Sequence, residues 1–594
     1  MAAPFSRVLV ANRGEIAVRI FRTLRELEIG TVAVYSEADR GALHARAADE
    51  AYLIGPPPAA ESYLVVPRLI ETALRAGAEA IHPGYGFLAE NASFARAVGE
   101  AGLVWIGPPP DAIELMGRKT AARTTMAEAG VPIVPGTTEP VASADEAIAF
   151  GEEIGWPIAL KASSGGGGKG LKLVRSADEV PAAFESAQRE GEAYFADPAV
   201  YIEKYLDDPR HVEVQVLADA HGNVIHLGER ECTIQRRHQK LIEETPSPAV
   251  DEALRARIGE IAVNAARAAG YRSAGTIEGL LSRGGEYYFL EMNTRIQVEH
   301  TVTEMATGLD LVREQVFIAA GEPLSIRQED VRLSGHAIEC RINAEDPSNG
   351  FLPAPGVITS YREPAGPGVR VDSGVEAGVE VAGYYDPLLA KLIVHGVDRE
   401  HARQRMLRAL DEYEITGVET LLGFHRALLR RPCFVEAGTC RGIVESDDLA
   451  AEAKERSRGP AAAPPRDGRL RERVLAVELD GRHFDVRVLE PEPPHVDLAR
   501  RRRERRESAH GRAGAGRDAV VSPMQGTVLD VRVDEGQEVV AGDVLCIVEA
   551  MKIENEIAAH RDGVVNGLSV APGQPVTAGQ IVCVVVKDGE TVGE

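Results

Sequence analysis

The sequence predicts a multidomain chain, α/β and α+β over most of its length, closed by a small all-β domain built as a flattened sandwich. Three observations carry that expectation. The chain opens on an apolar strand, an amphipathic run and a second strand; a 37-residue period repeats near its C-terminal end; and a stretch rich in Ala, Pro and charge separates the two regions. At 594 residues the chain has room for several domains, and 44% hydrophobic content supplies their cores.

The opening segment "RVLVA" reads as a buried strand, the run carrying Ile16, Ile20, Leu24 and Leu27 has helical spacing, and "TVAVYS" reads as a second strand. Together they begin a βαβ unit. No glycine fingerprint follows the first strand, so dinucleotide binding is not expected there. "GGGGKG" at 165–170 does match G-x-G-x-x-G, but "PIALKAS" before it and "LKLVRS" after it both read as strands. The dinucleotide fingerprint requires a helix after the turn; these glycines instead predict a hairpin tip whose bare N–H groups can close over phosphates. An ordinary glycine loop is the plainer alternative, and the lysines around it weigh against that. Only ten of the 66 Lys+Arg residues are lysine, so a surviving lysine such as Lys161 or Lys169 is wanted for its compact charge or its primary amine.

In "EMNTRIQVE" at 291–299, Glu291, Asn293, Arg295, Gln297 and Glu299 alternate with Met292, Thr294, Ile296 and Val298. As one extended strand this puts five polar groups on a single face. A solvent-facing edge strand has a similar pattern. The preceding run, however, contains a hairpin centred on Gly284-Gly285, which sets Glu278 opposite Glu291. Two carboxylates ~5 Å apart repel by roughly 3 kcal/mol at an effective dielectric of about 20, and a divalent cation relieves this. With the Asn293 amide oxygen they make a hard ligand set suited to Mg²⁺ on nucleotide phosphates.

The repeat pairs residues 526–548 with 563–585, and ten of 23 positions are identical, among them Val528/565, Val533/570, Val539/576, Cys546/583 and Val548/585. Neither half can bury its own apolar face, so two halves stack as a quasi-twofold sandwich. Lys552 falls between them in "VEAMKIENE", at an expected hairpin tip, with Met551 and Ile553 as an apolar flank unusual for a solvated turn.

Residues 447–468 read as a linker, "RVLAVELDGRHFDVRVLE" at 473–490 as a small hairpin about Asp480-Gly481, and the arginine-rich 500–507 as solvated tether or, on so acidic a chain, as a docking element for an acidic partner surface. The 28 residues of 491–518 give a flexible reach of ~30 Å, enough for a terminal domain to travel. The domain division expected is 1–115, 116–330, 331–446, a linker with its small β segment over 447–518, and 519–588. A net charge of −25 excludes a general nucleic-acid surface, and no apolar run is long enough to span a membrane. Six scattered cysteines without C-x-x-C spacing read as buried thiols of a reducing compartment, and the short lead before the first strand leaves no room for a signal peptide; a cytoplasmic protein is expected.

"EAMKIEN" and "SPMQGTV" resemble the attachment and upstream signatures of biotinyl domains, with Ile553 where the family has a second methionine. The resemblance implies biotin on Lys552 through an amide bond, placed there by a biotin protein ligase. Residues 5–446 resemble the biotin carboxylase family of ATP-grasp enzymes, through "ANRGEIAVRI", "IHPGYGFLAEN", "MGRKTAAR", "YIEKYL", "RHVEVQVL", "QRRHQKLIEE", "EMNTRIQVEH", "ECRINAEDP" and "FLPAPG". Gly279 is a departure, where relatives carry a large residue.

This resemblance implies the site. Lys119, Lys161, Gly167 and Gly168 would hold ATP phosphates, and Glu203, Lys204, Leu206, His211 and His238 would line the nucleotide site. Glu278 and Glu291, with Asn293 nearby, would bind Mg²⁺ (or Mn²⁺). Lys240, Arg295, Gln297 and Val298 would hold bicarbonate, Glu299 would be the base, and Arg341 with Tyr85 would meet biotin. A core histidine is the alternative for His211. The implied activity is that of an acyl-CoA carboxylase alpha chain of the actinobacterial two-part type. Its partner would be a separate carboxyltransferase beta subunit in an oligomeric holoenzyme. A non-catalytic carrier with a dead ATP-grasp domain, or a carbamoyl-phosphate type ligase, are the other readings; intact Lys240, Arg295 and Glu299 argue against the first.

Overall fold

The computed structural model describes residues 3–137, 140–162, 171–195, 199–237, 239–457, 470–479, 482–491, 518–550 and 553–586. The βαβ start is present: Arg7–Val10 pairs in parallel with Gly30–Ser36 across the helix Gly14–Glu26, whose Ile16, Ile20 and Leu24 are buried. Strands Glu50–Gly55, Ala80–His82 and Val104–Trp105 complete a five-stranded parallel sheet. Its strand order reverses between Arg7–Val10 and Ala80–His82, the place where open α/β sheets form a crevice. Tyr85, just past the second of these strands, donates its hydroxyl to Glu15 at the start of the helix.

An eight-stranded antiparallel sheet forms the centre. Its order is Tyr287–Asn293, Ser273–Leu281, Arg210–Ala218, Val224–Arg236, Gln239–Thr245, His336–Asn343, Leu388–Gly396, Val369–Ser373. Strands on either side of residue 330 therefore share one ladder. The helix Arg399–Glu412 buries Ala402, Met406 and Leu410 in one core with Ile338, Ile342 and Leu392. A separate three-stranded sheet holds Ile158–Ala162 between Leu171–Val174 and Val200–Lys204. Both flanks of the glycine run are thus strands of one antiparallel pair, as expected; residues 163–170 lie outside the described residues.

Glu278 stands opposite Glu291, as the hairpin arithmetic predicted, though the turn is centred one half-step earlier. Leu281 faces Tyr287 and Gly279 faces Phe289, and the register shifts between Glu278 and Gly279. Leu290 is the extra residue, and this bulge restores the pairing at the carboxylates. At Gly279 an added Cβ would lie 2.3 Å from the Tyr287 ring, so that ring fills the space a larger residue would use.

Three expectations are corrected. The strand expected over 291–299 ends at Asn293, and Thr294–Glu299 form a turn leading into the helix His300–Thr307. Met292 and Ile296 are buried, so apolar anchoring persists without a strand, but Val298 is not in the core. The supposed linker begins with a helix, Asp447–Ser457, which buries Leu449 and Ala453. It lies so close to the helix Leu422–Leu428 that a Cβ on Gly423 would sit 2.2 Å from the Ala453 carbonyl; Ala-rich charged sequence serves helix and linker alike. Finally, Cys433 and Cys440 form a disulfide, their Cα atoms brought to 5.3 Å by the turn after the short helix Pro432–Val435. The other four cysteines are buried free thiols.

Leu470–Leu479 and Arg482–Pro491 pair antiparallel about the predicted centre. The terminal domain is two four-stranded sheets, and they exchange their short strands: Pro575–Val576 joins the sheet of the first half, Glu538–Val539 that of the second. The repeat-related pairs Val528/565, Val533/570, Val539/576, Cys546/583 and Val548/585 all lie in its single core. Val544–Ala550 and Ile553–Ala558 pair with Ala550 opposite Ile553, and Lys552 lies outside the described residues. Among the described residues no helix is long and apolar enough to cross a membrane.

Candidate active site

The loop that replaces the end of the predicted strand delivers Glu299 to a buried position between two cations. Its Oε1 accepts from Lys240 Nζ at 2.5 Å and its Oε2 from Arg341 Nη2 at 2.9 Å. Burial pushes the Glu299 carboxyl up, but Lys240, Arg341 and Arg230 outweigh it and hold the group well below the usual carboxylate range. A carboxylate so placed is ionised at neutral pH and aligned through both oxygens.

Glu278 is the hub of the same wall. Its Oε1 accepts from Lys240 at 3.0 Å, Asn293 Nδ2 at 2.8 Å and Gln297 Nε2 at 2.5 Å, and its Oε2 lies 2.7 Å from His211 Nε2. Burial raises this carboxyl, while His211 and Lys240 lower it further, so it stays ionised. His211 therefore faces the site and is not a packed core histidine. Arg295 donates through Nε to Glu90 at 2.9 Å and through Nη2 to Asn293 Oδ1 at 2.9 Å. The Val298 carbonyl accepts from the fully buried Lys391 at 2.9 Å.

His211, Lys240, Glu278, Glu291, Asn293, Arg295, Gln297, Val298, Glu299 and Arg341 thus line one cavity of about 1720 Å³. Pro523, Met524, Ile547, Glu554, Asn555 and Glu556 of the all-β domain line the same space. Tyr85 is not part of that lining, but sits close enough for the Arg341 charge to act on its hydroxyl. Glu203, Lys204 and Leu206 are elsewhere, on and after the strand Val200–Lys204; Lys204 Nζ donates to the carbonyls of Gly155 at 2.8 Å and Trp156 at 3.0 Å, and Glu203 meets Arg123 at 3.4 Å. Gly167, Gly168, His238 and Lys552, and the side chains of Lys119 and Lys161, lie outside the described residues.

Sequence reasoning missed the residues that hold this wall in place. Arg230, fully buried, donates to Glu213 at 2.5 Å, Gln215 at 2.7 Å, Thr303 and Thr276 at 3.0 Å, and Gln297 at 3.0 Å. Glu213 in turn accepts from Lys240 at 2.5 Å. The alternation His211, Glu213, Gln215 inside "RHVEVQVL" was a readable signal; nothing local distinguishes Arg230 from its neighbours. The geometry also suits a divalent cation. Glu278 and Glu291 are cross-strand partners on the cavity wall and offer it two carboxylates, hard oxygen ligands that a divalent cation would take by displacing the Lys240, Asn293 and Gln297 donors from Glu278.

Comparison with known proteins gives the class. Three consecutive matches are to "Biotin carboxylase, N-terminal domain" over 4–113, "Carbamoyl-phosphate synthase L chain, ATP binding domain" over 118–327, and "Biotin carboxylase C-terminal domain" over 339–446. "Biotin-requiring enzyme" matches 518–592. The biotin-dependent acyl-coenzyme A carboxylase alpha3 subunit of Mycobacterium leprae is 46% identical over 95% of this chain and 95% of its own. The propionyl-CoA carboxylase alpha chain of Ruegeria pomeroyi is 40% identical over 94% of this chain and 97% of its own. Among solved structures, the biotin carboxylase domain of the Hydrogenobacter thermophilus 2-oxoglutarate carboxylase, in complex with MgADP, ADP and bicarbonate, is 48% identical with a TM-score of 0.67, covering 75% of this chain and 98% of that one. A biotin carboxylase–beta-gamma-ATP complex from Campylobacter jejuni is 46% identical with a TM-score of 0.66, covering 73% of this chain and 96% of that one.

These matches define an ATP-grasp biotin carboxylase joined to a biotinyl domain. The chain belongs to the family of biotin-dependent acyl-CoA carboxylase alpha chains. It is an ATP-dependent ligase that carboxylates biotin, with biotin, ATP and Mg²⁺ as its cofactors.

Proposed function

We propose that this chain is the alpha subunit of an acyl-CoA carboxylase: it carboxylates biotin carried on its own Lys552 and hands the carboxyl group to a separate carboxyltransferase beta subunit. The acceptor is acetyl-CoA, propionyl-CoA or a longer acyl-CoA. The observation that carries this reading is Glu299 clamped between Lys240 and Arg341 on a cavity wall shared with the biotinyl domain.

Bicarbonate is held by Lys240, Arg295, Gln297 and Val298, and Glu299 takes its proton. The freed oxygen attacks the γ-phosphorus of ATP and ADP leaves; the resulting carboxyphosphate breaks down to CO₂ and phosphate beside biotin. Lys119, Lys161, Gly167 and Gly168 hold the phosphates, and Glu203, Lys204, Leu206, His211 and His238 the rest of the nucleotide. Glu278 and Glu291, with Asn293, would hold Mg²⁺, which neutralises phosphate charge. Phosphoryl transfer is mainly positioning and cationic stabilisation, and this cavity offers both. Arg341 receives the ureido oxygen of biotin, with Tyr85 at the same crevice. The division into 1–115, 116–330 and 331–446 for the carboxylase and 519–588 for the carrier follows from this reading, as do a biotin protein ligase as modifying enzyme and an oligomeric holoenzyme.

The test is ADP formation by the purified chain, with and without bicarbonate and free biotin; a rate indifferent to both would refute the proposal. A finer expectation concerns Glu90, which touches no substrate but fixes Arg295. Glu90→Gln weakens a partly exposed charged contact worth about 1 kcal/mol, so the KM for bicarbonate should rise about 5-fold. The KM for ATP should not move.

A further inference from the structure

Behind Arg341 the central sheet buries two carboxyl groups side by side. Glu243 on Gln239–Thr245 is the cross-strand partner of Glu339 on His336–Asn343, and both are 0% exposed. Glu243 Oε1 accepts from Arg341 Nε at 2.6 Å, and the same guanidinium reaches Glu299 with Nη2 at 2.9 Å. Glu339 Oε2 accepts the Thr301 hydroxyl. Glu243 Oε2 and Glu339 Oε1 are left buried with no hydrogen-bond partner among the described residues. Lys240 and Arg341 face Glu243, Lys391 and Arg341 face Glu339, and Glu299 adds a further negative charge near Glu243. The thiols of Cys232 and Cys340 lie alongside, held neutral by burial. Two anions at cross-strand distance repel, and burying the second adds its own desolvation cost. Protonating one of them removes that repulsion.

We propose that Glu339 stays a neutral carboxylic acid in the working enzyme, so that of the two buried carboxyls behind Arg341 only Glu243 carries charge. Glu243 is the positioning residue: its charge sets how the guanidinium divides between it and the base Glu299. This rests on the reading of Arg341 as the group that meets biotin. Burial and the neighbouring Glu243 push Glu339 well above the usual carboxylate range; burial pushes Glu243 up to about 7 against the opposing charge of Arg341. Both shifts are upward. The pair therefore favours the folded protein most below the ordinary carboxylate range, and that contribution is lost as pH rises through about 7. Activity runs the other way. As pH falls through about 7, Glu243 takes a proton, Arg341 keeps only Glu299 as an ionised partner, and carboxylation of biotin slows.

The test measures carboxylation of free biotin against pH for the full chain, Glu339→Gln and Glu243→Gln. Glu339→Gln replaces a neutral group with a neutral group, so kcat and the position of the acid limb should both stay close to wild type. An acid limb moved to lower pH would mean that an anion had been removed, and would overturn the proposal. Glu243→Gln should lower kcat at least ~10-fold and flatten the acid limb while the KM for ATP is unchanged; a wild-type profile would also overturn it. Infrared spectra, which need no turnover, should show a protonated carboxylic acid band in the wild type that is missing in Glu339→Gln, and identical spectra would contradict the assignment. A wild-type chain that cleaves no ATP in response to bicarbonate would instead defeat the functional reading and leave the infrared result standing.

Discussion

Glu299→Gln is expected to lower bicarbonate-dependent ATP cleavage by at least ~10²–10³-fold, with ATP binding near normal. The amide is the same size but takes no proton at neutral pH. It also fits the clamp poorly: Lys240 and Arg341 present only donors to the two oxygens of Glu299, and an amide has one oxygen to offer. One of the two contacts therefore becomes a donor facing a donor. Glu203 and Lys204, proposed for the nucleotide, are on a different sheet from Lys240 and Arg341, and His211 bonds neither oxygen of Glu299, so the ATP affinity measured by equilibrium binding should move little. Turnover close to wild type would remove Glu299 from the chemistry.

Lys552→Arg should abolish both streptavidin recognition of the chain and the coupled acyl-CoA reaction. Arginine keeps the positive charge and nearly the length, but its guanidinium, with a pKa above ~12, is not a nucleophile that can be acylated. The domain should fold normally, because the core of its described residues is drawn mainly from the two repeat halves and the substitution leaves those residues untouched. Cleavage of ATP driven by free biotin should survive, since Lys240, Glu299 and Arg341 are untouched. A biotinylated Lys552→Arg protein would place the cofactor on another side chain.

Local pattern pointed to Glu278 and to the polar face from Glu291 to Glu299, whereas Lys240, His211 and Arg341 rested on the family resemblance, and the failures have physical causes. The Glu278–Glu291 pairing followed from the alternation and the double glycine; the bulge at Leu290 lay hidden because one extra residue changes no local composition. "EMNTRIQVE" alternates so regularly that it reads as a strand throughout, yet its second half is a turn, and Gln297 and Glu299 reach the site from that turn. The five buried repeat pairs of the terminal domain were visible as identities at one spacing, whereas the exchange of short strands between its sheets was not, since either arrangement buries the same valines. Arg230 and Lys391 were missed for a different reason. Each is a cation whose partners come from distant segments: Arg230 reaches Thr303 and Gln297, and Lys391 reaches Val298 and Glu15. Only the assembled sheet shows them as a scaffold for the reacting groups.

The central claim is that this chain fixes bicarbonate carbon onto its own biotin at the expense of ATP. The most direct measurement is incubation of the purified biotinylated chain with radiolabelled bicarbonate, ATP and Mg²⁺, followed by rapid gel filtration. The account predicts acid-labile label comigrating with the protein, up to one per biotin. That label should be absent without ATP, and absent in both Lys552→Arg and Glu299→Gln. Label that forms without ATP, or that persists in Lys552→Arg, would contradict it.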